Sequence, residues 1–293
     1  MSGADNGGLS PTRPAGPRRA GAAPAAVPRG VRLTATDLTL GYAEPLGARP
    51  VIEGLSLALE PGERVALVGA SGSGKTTLLH CLAGLLRPLE GEVTVDGEVV
   101  ASPTGACTSR HAAYMFQRDL LLPWKTALEN AVLVASVARG RASAPGGRAA
   151  APAPAPAATP SDIRARAEAL LREFGLGEAL DAYPHQLSGG MRQRVALART
   201  LILGRGLVLL DEPFAGLDAL TRADLQDWMR GVMEGHAATW VLVTHDIHEA
   251  SLLADRVAVL GGRPAGIVGW VDTAADPPGA AAELRRLLTV ARG

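Results

Sequence analysis

The 293-residue chain balances 29 basic against 29 acidic residues and is 47% hydrophobic, enough for one large domain or two small ones around an apolar core. A formal net charge of zero with no basic stripe excludes a broad electrostatic nucleic-acid surface. Two cysteines, Cys81 and Cys107, lie outside any C-x-x-C or metal-ligand spacing, and no apolar run reaches signal-peptide or membrane-span length, so a cytosolic chain with reduced thiols is expected.

Residues 1–30 are rich in Pro, Gly, Ala and Arg and predict a disordered tail. Residues 31–41 and 51–59 alternate as two edge-type strands flanking the core, with Tyr42 and a Pro/Gly-punctuated loop between them. Glu60-Pro61-Gly62 turns the chain into a β-branched apolar run, 64–68, which suits a strand buried in a parallel sheet. Next comes GASGSGKT (69–76), then apolar residues at helical spacing over 77–86. Gly69, Gly72 and Gly74 let successive N–H groups point inward, and the following helix adds its positive end, so the segment reads as a phosphate-binding loop. Lys75 is expected to face solvent until it reaches β- and γ-phosphates, and the Thr76 hydroxyl to ligate Mg²⁺. The chain holds only two lysines among its 29 basic residues, so a compact ammonium at Lys75 is not a compositional accident.

Asp96-Gly97 between β-branched runs predicts a hairpin over 92–100. A buried strand over 110–117 ends at Gln117, and Leu120-Leu121-Leu122-Pro123-Trp124 then forms an apolar loop. That loop either folds back onto nearby helices or receives a partner. A helix over 126–138 gives way to a low-complexity Ala-Pro and Gly insert, 139–160. Ser161, with Asp162 beside it, predicts the N-cap of a helix that runs to Phe174 and stops at Gly175, and a short helix follows to Tyr183. Leu187-Ser188-Gly189-Gly190-Met191 opens a helix through 203; residues 207–210 form an apolar strand ending in Asp211-Glu212-Pro213, and Asp218 starts a helix to Met233. Strand 239–244 ends at His245. A helix (246–254), strands 256–260 and 266–271, and a closing helix (280–290) complete the chain.

Strands alternating with helices over 65–260 predict an α/β fold with a largely parallel sheet, whose ligands lie at the carboxyl ends of the strands. Thr76, Gln117, Asp211 with Glu212, and His245 fall at four such ends. Singly, Gln117 reads as a polar strand end and His245 more often as a structural histidine than a catalytic one; their joint placement at the carboxyl ends reverses those odds.

From 33 to about 269 the sequence resembles the ATP-binding subunits of ABC transporters. GASGSGKT matches the Walker A loop, LVLLDEP (207–213) the Walker B strand with its adjacent glutamate, and LSGGM the family signature, with Met191 in place of the usual Gln. LSGGMRQRVALART, LLDEPFAGLDALTR and VTHDIHEA resemble the importer branch serving nitrate, sulfonate, taurine and pyrimidine thiamine-precursor uptake. The resemblance implies a phosphate-loop NTPase core with a mostly parallel sheet, an antiparallel β subdomain and an inserted α-helical subdomain at about 118–205. The ATP-binding domain would span 31–272, with a C-terminal helix and tail over 273–293. It implies ATP and Mg²⁺ held by Gly69, Ala70, Ser71, Gly72, Ser73, Gly74, Lys75, Thr76 and Thr77, with Tyr42 stacked on adenine or simply packed. Asp211, Thr76 and Gln117 would serve the metal, Glu212 the attacking water, and His245 the γ-phosphate. Ser188, Gly189, Gly190 and Asp218 would act across a head-to-tail dimer. Permease subunits and, indirectly, a solute-binding protein are the implied partners, at the cytoplasmic face of the inner membrane. A soluble ABC ATPase acting on nucleic acid or ribosomes is the competing reading; it predicts long heptads or a second cassette, and neither is seen.

Overall fold

The computed structural model describes residues 29–44, 47–105, 107–108, 110–142, 159–273 and 277–291. The predicted tail therefore lies outside the described residues except for 29–30, and the predicted insert outside them except for 139–142 and 159–160.

The strands form two sheets. One is antiparallel, in the order β2(Gly47–Leu59), β1(Leu33–Glu44), β4(Glu90–Val95), β5(Glu98–Ala101). β4 and β5 meet at Asp96-Gly97, whose φ values of 49° and 79° supply the left-handed pair that a two-residue hairpin needs. β1 pairs with both β2 and β4, and the alternating apolar residues of β1 and β2 (Leu33, Ala35, Leu38, Leu40, Leu55, Leu57) pack one face of this sheet on Val65, Leu67 and Leu209 of the core sheet, so the two strands flank the core within the expected antiparallel β subdomain.

The second sheet runs β10(Gly266–Asp272), β9(Arg256–Gly261), β3(Arg64–Gly69), β8(Thr239–Thr244), β7(Leu207–Asp211), β6(Ala112–Met115); β9, β3, β8, β7 and β6 are parallel and β10 is antiparallel. Its inner strands β9, β3, β8 and β7 are buried on both sides, and the edge strand β10 is half-exposed. Val65, Leu67, Leu209 and Val243 face α1(Lys75–Leu82) and the antiparallel sheet, while Ala66, Val68, Val208, Leu210, Trp240 and Leu242 face the larger helical layer. That layer contains α4(Gly189–Leu201), α5(Ala219–Gly235), α6(Ile247–Leu253) and α7(Pro277–Val290), with α2(Ala127–Ala142) and α3(Pro160–Glu173) packed on α4.

Several boundaries differ from expectation: α1 ends at Leu82 rather than 86, α7 begins at Pro277 rather than 280, and β1 and β2 extend to Glu44 and from Gly47, into the predicted loop. Two further differences have a local cause. α2 continues to Ala142, four residues into the predicted insert, since its Ala-Arg-Gly-Arg-Ala stretch lacks the proline that would stop it. The N-cap of α3 is Thr159, not Ser161. Thr159 Oγ1 accepts from the Asp162 N–H (3.2 Å), the Asp162 carboxylate accepts from the Thr159 N–H (2.7 Å), and Pro160 occupies the first turn where no N–H is needed.

The order β3, β8, β7, β6 decides what meets at the carboxyl edge. It sets the phosphate loop after β3, His245 after β8, Glu212 after β7 and Gln117 after β6 side by side, with Glu212 between the last and the second of them.

Candidate active site

The phosphate loop leaves β3 and enters α1 at Gly74, whose φ of 84° no residue with a Cβ adopts without strain; a Cβ there would also lie 2.9 Å from Val51 Cγ1. Gly74 offers no side-chain cap, so the first N–H groups of α1 have no local acceptor and can serve an anion. Ser73 Oγ is buried without a hydrogen-bond partner among the described residues, an orphan hydroxyl at the centre of the loop.

Lys75 does not face solvent as its expected role suggested. It is 6% exposed, and its ammonium donates to Gly69 O and Ala70 O, both at 2.9 Å. The loop's own carbonyls are the nearest acceptors, and the curled backbone presents them inward beside the N–H groups. Burial lowers the Lys75 pKa, opposed by the nearby carboxylates Glu212 and Asp211.

Asp211 ends β7 nearly buried, and both of its oxygens are engaged. Oδ1 accepts from Thr76 Oγ1 (3.2 Å) and Oδ2 from the Tyr114 hydroxyl (3.1 Å). Burial raises the Asp211 pKa, and the two hydroxyl donors pull it back. Tyr114 was missed by the sequence reading. It stands on β6, three residues before Gln117, with its ring tilted on His80 and Phe116 at 5.3 and 4.7 Å between centroids; burial and the Asp211 charge raise its pKa. A tyrosine inside an otherwise apolar strand was the available signal, since a buried phenol needs a partner.

Glu212 lies between two groups: Gln117 Nε2 donates to Oε2 (3.2 Å), and His245 Nδ1 is 3.4 Å from Oε1. Its backbone adopts φ 44°, a left-handed conformation that costs a non-glycine residue about 1–2 kcal/mol, and its N–H is anchored on Val243 O at 2.9 Å. The structure thus brings together Thr76, Asp211, Gln117, Glu212 and His245 from four strand ends.

Tyr42 lies beside the loop, its hydroxyl 3.0 Å from Thr77 Oγ1 and its ring exposed. It lines a cleft of about 1330 Å³ with Arg49, Ala70, Ser71, Gly72, Ser73 and Arg263. No residue of the segment 187–191 lines this cleft. Ser188 instead caps α4 by accepting from the Met191 N–H (3.2 Å), and Asp218 caps α5 by accepting from the Thr221 N–H (3.1 Å). Gly189 fits closely against the loop before α5, where a Cβ would approach Leu217 Cδ2 to 2.9 Å.

The apolar loop after Gln117 divides. Leu121 packs on the helical core, whereas Leu120 and Trp124 are 51% and 69% exposed. The loop is nevertheless fixed from within. Asn130, fully buried, accepts from the Leu122 N–H and donates to the carbonyls of Leu122, Lys125 and Thr126, and Arg199 donates to those of Asp119 and Leu120.

The sequence profile of the ABC transporter family matches residues 52–215, more than half of the chain. The chain belongs to the ABC transporter family. The aliphatic sulfonates import ATP-binding protein SsuB 2 of Pseudomonas syringae pv. syringae is 46% identical over 214 residues, covering 73% of this chain and 65% of the relative. The nitrate import ATP-binding protein NrtC of Synechococcus elongatus is 39% identical over 221 residues, covering 75% of this chain and 30% of the relative. This ABC family member therefore spans under two thirds of the length of both. Among solved structures, the dimeric ATP-binding cassette MJ0796 bound to ADP and Pi superposes with a TM-score of 0.65 at 27% identity, over 82% of this chain and 98% of that one. The fold is accordingly the α/β phosphate-loop NTPase fold of ABC cassettes.

Proposed function

We propose that this chain is the ATP-hydrolysing, energy-coupling subunit of an ABC importer for a small anion. The observation that carries this reading is Glu212 held between Gln117 and His245, beside a phosphate loop whose orphan Ser73 hydroxyl and uncapped helix end suit a polyphosphate. Of the expected cargoes, aliphatic sulfonate and nitrate are favoured by the names of the relatives.

In this reading Lys75 leaves its two carbonyls for the β- and γ-phosphates, and Tyr42 and the cleft around it take the adenosine. Water attacks the γ-phosphorus in line; the new P–O bond forms as the β,γ-bridging bond breaks, and Glu212 accepts the proton. His245 contacts the γ-phosphate and steadies Glu212. Thr76, Asp211 and the Gln117 amide oxygen are hard oxygen donors of the kind Mg²⁺ takes, and the ion supplies charge neutralisation at the phosphate oxygens. Ser188, Gly189, Gly190 and Asp218 act in the site of a second copy, head to tail; none of them lines the cleft around Tyr42, and Ser188 and Asp218 cap helices of their own chain. Trp124 and Leu120 meet the permease. No helix among the described residues is long and apolar enough to cross a membrane, which fits a peripheral subunit docked on separate membrane proteins.

The test is reconstitution. Vesicles carrying the cognate permease and solute-binding protein should take up labelled alkanesulfonate or nitrate only with this chain and Mg-ATP inside. Uptake independent of the chain, or a chain that hydrolyses no ATP with or without the permease, overturns the reading.

A further inference from the structure

The polar groups behind His245 form a buried bridge to the helix that carries Asp218. Thr244, Glu249 and Gln226 are 1%, 5% and 4% exposed, and Thr244 and Gln226 each hydrogen-bond to Glu249. The Thr244 hydroxyl donates to Glu249 Oε2, and Gln226 Nε2 donates to Glu249 Oε1 at 3.1 Å. With its proton committed to Glu249, Thr244 Oγ1 accepts from the Asp246 N–H at 3.0 Å. The residues before and after His245 are thus tied together through one hydroxyl, closing a tight loop whose apex is the histidine.

The other end of the bridge reaches the loop before α5. Gln226 lies two helical turns from the cap Asp218. Between them Arg222 donates from Nη2 to Leu217 O at 3.0 Å, and its charge acts on Glu249. Three elements, β8, α5 and α6, therefore meet at one carboxylate. Apolar side chains of equal volume would serve stability here as well as a hydrogen-bonded triad does, so the triad is better explained by the register it imposes.

We propose that the Gln226–Glu249–Thr244 bridge is a positioning device that sets His245 against Glu212 and couples that contact to the loop bearing Asp218. The inference rests on the assignment of Glu212 and His245 to ATP hydrolysis. None of the three bridge residues touches the reacting atoms; they act through the backbone on either side of His245. In the head-to-tail reading, a displacement of Asp218 by a second copy's site would be felt at His245 through α5 and this bridge.

The experiment is a double-substitution cycle on single-turnover ATP hydrolysis by the full chain, with Mg-ATP affinity and thermal midpoint measured alongside. Gln226→Met and Thr244→Val each roughly keep the volume; the first removes the bond to Glu249, the second removes both the bond to Glu249 and the one from the Asp246 N–H. Each is expected to slow hydrolysis about tenfold while Mg-ATP affinity stays within about twofold. In a His245→Ala background the same substitutions should slow it by less than about twofold, because their target is gone. The reciprocal pair Gln226→Glu with Glu249→Gln restores an amide–carboxylate bond of reversed polarity and should recover most of the rate. Unchanged hydrolysis in the single variants, or an equal loss with and without His245, overturns the inference. If the single variants do not fold, the reciprocal pair decides: a folded pair as slow as His245→Ala also overturns it. A Glu212→Gln protein that hydrolyses ATP at the parent rate would bring down the underlying site assignment instead, whatever the bridge variants do.

Discussion

The phosphate loop and the segment 187–191 are both glycine-rich entrances to helices, and they differ in what their polar groups have to do. Around the loop an orphan Ser73 hydroxyl is buried, Gly74 leaves α1 uncapped, and Lys75 is folded onto its own backbone. At α4, Ser188 already caps the helix and Gly189 sits tightly against Leu217, so the polar groups of that segment are engaged locally, and none of its residues lines the cleft around Tyr42. The loop turns polar groups toward an anion; those of the segment 187–191 are engaged within their own helix and its neighbours. The difference teaches that a chain can fold fully while its chemistry stays divided, and it is the strongest argument from this chain alone for the proposed second copy.

The comparison breaks most sharply at Glu212. Glu212→Gln is expected to slow hydrolysis by about 10²–10⁴ while ATP binding survives, and the variant should gather as a dimer that requires Mg-ATP. Rapid-quench hydrolysis with size-exclusion chromatography checks both, and a Glu212→Gln protein that stays monomeric at high concentration with Mg-ATP contradicts the divided site. Ser188→Arg, added to that variant, should abolish the dimer and leave nucleotide affinity of the monomer within about threefold, because in its own chain Ser188 does no more than cap α4. A dimer that persists would mean the segment 187–191 serves no phosphate at all.

Tyr114→Phe sharpens the loop's side of the contrast. The substitution frees Asp211 Oδ2, so the carboxylate keeps only the Thr76 hydroxyl on Oδ1 to orient it. Mn²⁺ or Mg²⁺ should then bind the ATP-loaded protein about tenfold more weakly, with metal-free ATP affinity nearly unchanged. Titration followed by paramagnetic relaxation with Mn²⁺ reads this without turnover; equal metal affinity in the two proteins would reduce Tyr114 to packing.

The smallest effect expected is one of pH. Burial raises the Glu249 pKa above its ordinary 4.5, so the folded state holds this proton more tightly than the unfolded chain. The stability it contributes is fully present below about pH 4.5 and is lost as pH rises through the raised value, at up to about 1.4 kcal/mol per pH unit. Glu249→Gln should flatten that decline in chemical-denaturation midpoints of the nucleotide-free protein, whereas parallel profiles would show that the group does not titrate there.

Most of the architecture was legible because its signals are local. GASGSGKT, the strand ending in Asp211-Glu212 and the turn Asp96-Gly97 each need only neighbouring residues to be read. Contacts closed across the sheet were not legible. Tyr114 and Asp211 are 97 positions apart and meet because β6 and β7 pair in register. Glu249 meets Gln226 through the packing of two helices that no periodicity specifies. The cap of α3 was misplaced at Ser161: Thr159 holds it because it exchanges hydrogen bonds with Asp162 and puts Pro160 in the first turn. Lys75 was misjudged for a related reason: its spacing named the residue, but where its ammonium rests depends on carbonyls the loop turns inward.

That resting place changes what ligand binding means at this loop. Because the ammonium already has two acceptors, a nucleotide does not add a contact to an idle cation; it exchanges one set of oxygens for another and leaves Gly69 O and Ala70 O to find new donors. If the loop takes a polyphosphate as proposed, a ligand dense in negative charge is favoured in that exchange, and a nucleoside or a monophosphate should bind far more weakly than a triphosphate because the same two carbonyl contacts must be given up for fewer phosphate oxygens.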